Sequence, residues 1–292
     1  MKNLYVILIL IILYISISAQ NGVIYENLTM QSKILNGKVK YDIYLPPDYN
    51  ISQRLYPVVY LLHGFTDDNT AWVQFGEIQY TMDNGIKDGN ITPMIIVMPD
   101  AKVSWYINDY QNNYPFEDMF IKEFIPFIEN KYRIRKEKSY RAVSGLSMGG
   151  WGSLVYALKH PDLFYVCAPI SAAIWTDSYL VNLEDKRYER YFKNIFGDNL
   201  KGKERLNAHY RNNNPIDLAK KLDTKTLNSI KFYITCGDDD ALSIGNCLLH
   251  QILLEKQVYH EFRIDDGGHK WQYFRSHVKE CLMFISKYFH RF

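Results

Sequence analysis

Five short apolar runs constrain this chain most: 57–62, 94–98, 140–143, 165–170 and 230–236. Runs of that length without polar alternation describe strands covered on both faces. Between them the spacing predicts helices over 117–132, 148–159 and 243–257, and another from Gln272 to the C-terminus. Buried strands alternating with helices specify an α/β chain with a mostly parallel central sheet and helices on both faces. Residues 32–45 read as a hairpin: Asn36-Gly37 is the turn, because both residues accept positive φ, and 38–45 alternates polar and apolar until Pro46-Pro47. The rhythm breaks over 174–229, which is rich in Lys, Arg, Glu, Asn and Tyr and has no clean apolar strand. It reads as a helical excursion from one domain rather than a second domain. Such insertions either wall a pocket or are solvated excursions.

The first residues are a separate object. Met1-Lys2-Asn3 carries one positive charge, Leu4 to Ile17 is almost wholly apolar, and Ser18-Ala19 leads into polar Gln20-Asn21-Gly22. That order describes a secretory leader over 1–19, with a mature chain of 20–292 and a secreted or periplasmic destination. The 14-residue run 4–17 is short of the ~20 residues that span a bilayer, so no stable membrane anchor is expected. Export makes cysteine pairing relevant. Cys167 and Cys236 sit in strand-like runs and read as buried hydrophobes; a Cys236–Cys247 bridge is an open alternative. No Cys-x-x-Cys or His cluster has metal spacing, so no structural zinc is expected. With 34 basic against 32 acidic residues and no Lys/Arg block, the chain lacks the charge footprint of a nucleic-acid binder.

The chemistry concentrates in three loops. Gly145-Leu146-Ser147-Met148-Gly149 lies between an apolar strand and a helical stretch. A serine at such a turn is pushed out of the sheet at the positive end of a helix, as a nucleophile requires. His269, in Asp266-Gly267-Gly268-His269, follows the strand-like run 260–264 and precedes the last helix, where it can serve as base. His63, His160 and His250 fit that role less well: one precedes the nucleophile, one ends a helix and one lies inside a helix. Asp238-Asp239-Asp240 follows a buried strand. One of these carboxylates should turn toward the imidazole while the others face water, since three cannot be buried and ionised together. The N–H groups of Phe65, after Leu62-His63-Gly64, and of Met148 are the candidate oxyanion donors. Trp105 and Trp175, in loops after strands, are the candidate pocket aromatics; Trp151 and Trp271 read rather as packing.

These residues resemble the esterase D-like branch of the α/β-hydrolases, the branch of feruloyl esterases, acetyl xylan esterases, S-formylglutathione hydrolase and the mycolyltransferases. The likeness runs from about Leu45 to the C-terminus through Leu62-His63-Gly64, Met94 to Asp100, Phe116-Glu117-Asp118, Gly145 to Gly150, Pro169 to Ala173, Cys236 to Asp240 and Gly267-Gly268-His269. It implies the α/β-hydrolase fold, ester hydrolysis through an acyl-enzyme without cofactor or metal, and a small-molecule or polysaccharide ester as substrate. In that branch the acid lies three residues after the Gly that ends the strand, which selects Asp240. The closest flavour is that of exported feruloyl and acetyl xylan esterases. Alternatives are acyl transfer to a sugar hydroxyl, a peptidase of the same fold, and a non-catalytic carbohydrate-binding protein.

Overall fold

The computed structural model describes residues 21–289, so the leader 1–19 and its cleavage point lie outside the described residues. The strands are β1 (Val23–Ser32), β2 (Gly37–Leu45), β3 (Val58–Leu62), β4 (Ile95–Pro99), β5 (Arg141–Leu146), β6 (Val166–Ile170), β7 (Lys231–Gly237) and β8 (His260–Asp265). They form one sheet in the order β1-β2-β4-β3-β5-β6-β7-β8. The β1–β2 and β2–β4 pairs are antiparallel and the remaining pairs are parallel. The five apolar runs of the sequence are β3 to β7.

Both faces of β3 are covered, as an unbroken apolar run requires. Val58, Tyr60 and Leu62 pack with Phe120, Phe124 and Leu154, while Val59 and Leu61 pack with Ile78, Met82, Val278 and Leu282. The helix Met148–Lys159 is buried nearly all round, whereas Trp271–Phe289 buries one stripe, including Phe274, Val278, Cys281, Leu282 and Ile285. The spacings of four, three, one and three residues keep that stripe on one face. Among the described residues, no helix is long and apolar enough to cross a membrane.

The hairpin is longer than the sequence suggests. β1 begins at Val23, and its exposed Glu26, Asn27, Thr29 and Gln31 hide it from an apolar pattern search. The turn spans 33–36; Asn36 alone takes positive φ (47°), and Gly37 already opens β2. The helix expected over 117–132 starts at Phe116 and contains a π-helical turn, Phe120–Phe124. Within that turn, Glu123 accepts hydrogen bonds from Ser32 Oγ (2.5 Å), Lys33 N (3.1 Å) and Ile34 N (3.2 Å), tying the hairpin to the helical layer. The helices Ala71–Gln74 and Ile78–Lys87 are additional to those expected; the second buries Ile78 and Met82, with Ile86 packed beside them, at a spacing of four. Residues 174–229 are helical, from Asp177–Asn182 to Thr224–Asn228. Cys167, Cys236, Cys247 and Cys281 are all free thiols, so the Cys236–Cys247 bridge is not formed.

The chain leaves β3 toward β4 on one side and returns as β5 on the other. Such a reversal opens a crevice at the C-terminal ends of the strands. The loops after β3, β5, β7 and β8 all emerge on that edge.

Candidate active site

Ser147 joins β5 to the helix Met148–Lys159 with φ 55° and ψ −115°, a conformation that L-residues rarely adopt. Its N–H donates to Ile170 O (3.0 Å), and its carbonyl accepts from Trp151 N and Ala173 N (both 3.0 Å). The turn is thus held from β6 and from its own helix, which keeps the strain in place. Gly149 is required by close approach: a Cβ there would stand 2.4 Å from Leu62 O and 2.7 Å from His63 O.

Three loops converge on the hydroxyl. His269 Nε2 lies 2.9 Å from Ser147 Oγ, and His269 Nδ1 lies 2.7 Å from Asp240 Oδ2. A carboxylate only accepts, so Nδ1 carries the proton and the Nε2 lone pair faces the hydroxyl. Asp240 is 3% exposed, while Asp238 and Asp239 are exposed. Burial alone would raise the Asp240 carboxyl, but the hydrogen bond and charge of His269, with Leu242 N–H and the neighbouring Ser171 hydroxyl, bring it below the usual carboxylate range. The inward turn of one aspartate is as expected. Asp238, expected simply to face water, does more: its Oδ1 accepts from Gly267 N and Asp239 N (both 3.0 Å), binding the acid loop to the histidine loop. Asp239 N also donates to Gly267 O (3.0 Å). Gly267 sits at φ 145°, where a side chain would be strained.

The turn after β3 runs beside the serine: a Cβ on Gly64 would lie 3.8 Å from Ser147 Cβ. Phe65 follows in that turn and borders the cavity above Ser147. Met148 is the first helical residue, so its N–H has no carbonyl within the helix. His63 fits no proton-transfer role and instead braces this turn. Its Nδ1–H donates to Gly64 O (2.8 Å), Nε2 accepts from Ala101 N (2.9 Å), and Tyr106 Oη donates to His63 O (3.0 Å). Burial lowers the pKa of His63, consistent with this neutral bridging form.

A cavity of about 440 Å³ opens over Ser147, within the usual range of small-ligand sites. Trp105 and Trp175 both border it, with ring centroids 5.2 Å apart. Trp105 is fixed by donating from Nε1 to Tyr191 O (2.9 Å). Trp151 is fully buried beneath them. Trp271, read from sequence as packing, also borders the cavity, braced edge-on by Trp72 at 5.4 Å. The excursion supplies Trp175, Tyr179, Leu183 and Tyr191, so it does wall the pocket. Asp238 and Trp271 lie within three residues of site residues, but nothing in their local sequence separates them from solvated or packed neighbours.

A sheet that reverses at its centre, with a strained serine at the reversal, defines an α/β-hydrolase. Residues 32–285 match the Esterase family model. The chain belongs to that family, in the esterase D-like branch, and is a serine carboxylic ester hydrolase. It is 25% identical over 235 residues to an acetyl esterase of Caldicellulosiruptor saccharolyticus, covering 78% of this chain and 83% of that one. It is 35% identical over 134 residues to an endo-1,4-beta-xylanase/feruloyl esterase of Xylanibacter ruminicola, covering 42% of this chain but only 18% of that longer protein. A solved structure of a ferulic acid esterase matches with a TM-score of 0.79 at 29% identity, covering 92% of this chain and 99% of that one.

Proposed function

We propose that residues 20–292 form a single-domain exported esterase, released from the leader 1–19, that removes feruloyl or acetyl groups from carbohydrate esters. Ser147 is the nucleophile, His269 the general base and Asp240 the group that orients the imidazole and stabilises its positive charge. The observation that carries this is the chain of contacts at 2.9 and 2.7 Å from Ser147 Oγ through His269 to Asp240. The aromatic walls of Trp105, Trp175 and Trp271 suit a phenolic ring or a sugar face. The acyl groups are suggested by the chain's likeness to an acetyl esterase, an endo-1,4-beta-xylanase/feruloyl esterase and a ferulic acid esterase.

Ser147 Oγ attacks the ester carbonyl as His269 Nε2 takes its proton. The carbonyl oxygen becomes an oxyanion and accepts from Phe65 N–H and Met148 N–H, helped by the positive end of the helix. His269 then passes the proton to the departing alkoxide, leaving an acyl-serine. Water, deprotonated by the same imidazole, repeats the attack and releases the acid and Ser147. Ser147→Ala should lower p-nitrophenyl acetate turnover by several orders of magnitude and abolish labelling by a fluorophosphonate. Unchanged turnover in that variant would end the proposal.

A further inference from the structure

The mouth of the cavity is charged in a way that ester hydrolysis itself does not need. Arg187 and Arg190, three residues apart on the helix Asp185–Tyr191, both border it, and Lys270 borders it beside His269. Elsewhere Arg54, Arg141, Arg205, Arg211, Arg263 and Arg275 each hold a carboxylate, whereas Arg133 and Arg135, away from the cavity, lie over the rings of Tyr49 and Tyr140. Arg187 and Arg190 hold none among the described residues, although Glu184 and Glu189 are close in sequence and Asp185 is taken by Arg205. Arg190 instead lies over the Tyr191 ring, 5.4 Å from its centroid. The one carboxylate bordering the cavity is Asp67, in the turn after β3. Burial raises its pKa.

Three cations therefore share with one carboxylate a cleft walled by aromatic rings. Low-polarity walls strengthen a charge interaction over its value in water, and Arg is suited to grip a carboxylate through two N–H groups at once. We infer that the enzyme selects esters carrying a carboxylate remote from the scissile bond, held at the cavity mouth by Arg187 and Arg190, with Lys270 bordering the same cavity. The inference rests on the proposed esterase reading and adds the charge of the substrate. The carboxylate can come from the acyl side, as in a half-ester of a dicarboxylic acid. It can also come from the alcohol side, as in an acylated uronic acid.

The test compares kcat/KM for anionic and neutral partners on each side. On the acyl side these are p-nitrophenyl hemisuccinate and p-nitrophenyl butyrate. On the alcohol side they are p-acetoxybenzoate and its methyl ester. Taking the ratio within each pair, and comparing it between proteins, cancels the intrinsic reactivity of the esters. In Arg187→Gln/Arg190→Gln the anionic-to-neutral ratio should fall about tenfold on one arm, and that arm identifies the side. Raising the salt to about 0.5 M should depress the wild-type ratio toward that of the variant, as screening requires. Both arginines are exposed, and fluorophosphonate labelling counts the folded sites in each preparation. A ratio that stays within threefold on both arms overturns the inference while leaving the esterase reading intact. Neutral-ester turnover that survives Ser147→Ala would instead remove the esterase reading beneath it.

Discussion

Asp240→Asn tests the proposed proton path most directly. The Asp240 carboxylate accepts two hydrogen bonds from different directions, His269 Nδ1–H at 2.7 Å and Leu242 N–H at 2.9 Å. An amide has one acceptor oxygen. If it keeps Leu242, its NH₂ faces the imidazole, which must then place its proton on Nε2 and lose the lone pair aimed at Ser147. If it keeps His269, the NH₂ faces Leu242 N–H, and a buried donor left opposite a donor costs about 1–3 kcal/mol. The first arrangement therefore dominates. Loss of the negative charge removes a further term of up to about 4 kcal/mol for unit charges about 4 Å apart at an effective dielectric near 20. The 39% exposure of the His269 side chain reduces that term. A total of about 4–6 kcal/mol corresponds to a loss of roughly a thousand- to twenty-five-thousand-fold in kcat. Asp239 offers this network only its backbone N–H, so Asp239→Asn should stay within about twofold, the scale of an exposed change. The assay is kcat for p-nitrophenyl acetate on preparations matched by circular dichroism. An Asp240→Asn enzyme within tenfold of wild type, or equal losses in the two variants, would refute the assignment of the acid.

Three other outcomes follow from the packing. Gly149→Ala puts a methyl group against the Leu62 and His63 carbonyls, so it should cost about 3 kcal/mol or more. That is a fall in Tm of roughly 6–12 °C for a chain of this size, and a Tm within 2 °C of wild type would contradict it. Glu117 is buried and holds His160 (2.8 Å) and Lys159 (2.5 Å). Although burial opposes it, these partners lower its carboxyl pKa. Its folded value lies below the unfolded one, so its stabilisation is complete above the usual carboxylate range and is lost as pH falls through the folded value. Denaturant titration of Glu117→Gln should show a deficit of about 2–4 kcal/mol at pH 7 that shrinks below about pH 4. Thiol titration of native protein should find one fast group, Cys247. Cys167, Cys236 and Cys281 are buried, with the Cys236 thiol pushed up to about 12 by desolvation, and should react only after denaturation.

The central sheet was legible because β3 to β7 are buried on both faces, and that burial favours mainly apolar runs; Arg141 and Ser144, polar and buried in β5, are paired, Arg141 with Glu129 and Ser144 Oγ with Ala168 O. β1 was not, since a bulge between Tyr25 and Leu28 breaks its alternation and Glu26, Asn27, Thr29 and Gln31 face water at the sheet edge. The π-helical turn at Phe120–Phe124 leaves no local mark either; among the described residues its Glu123 is held by contacts to residues about ninety positions away. Local sequence likewise identified the serine turn, because strain at Ser147 and close approach at Gly149 can be met by very few residue types.

Chain order and composition determined the layered α/β architecture, the serine turn and the histidine that follows the last strand. These depend on burial and backbone conformation, which each residue type expresses locally. The choice among three adjacent aspartates was open to the sequence except through family likeness. The fold supports the proposed choice: Asp240 is buried against His269 and its neighbours are exposed. Pocket membership was decided the same way: Trp151 and Trp271 look alike in sequence, yet one lies under the cavity and the other on its wall. Arg187 and Arg190, exposed on their helix, border the cavity only because the excursion folds back over the sheet edge. A side chain's neighbours across the fold fix its charge environment and its exposure, and those neighbours are set by packing rather than by the residues beside it in the chain.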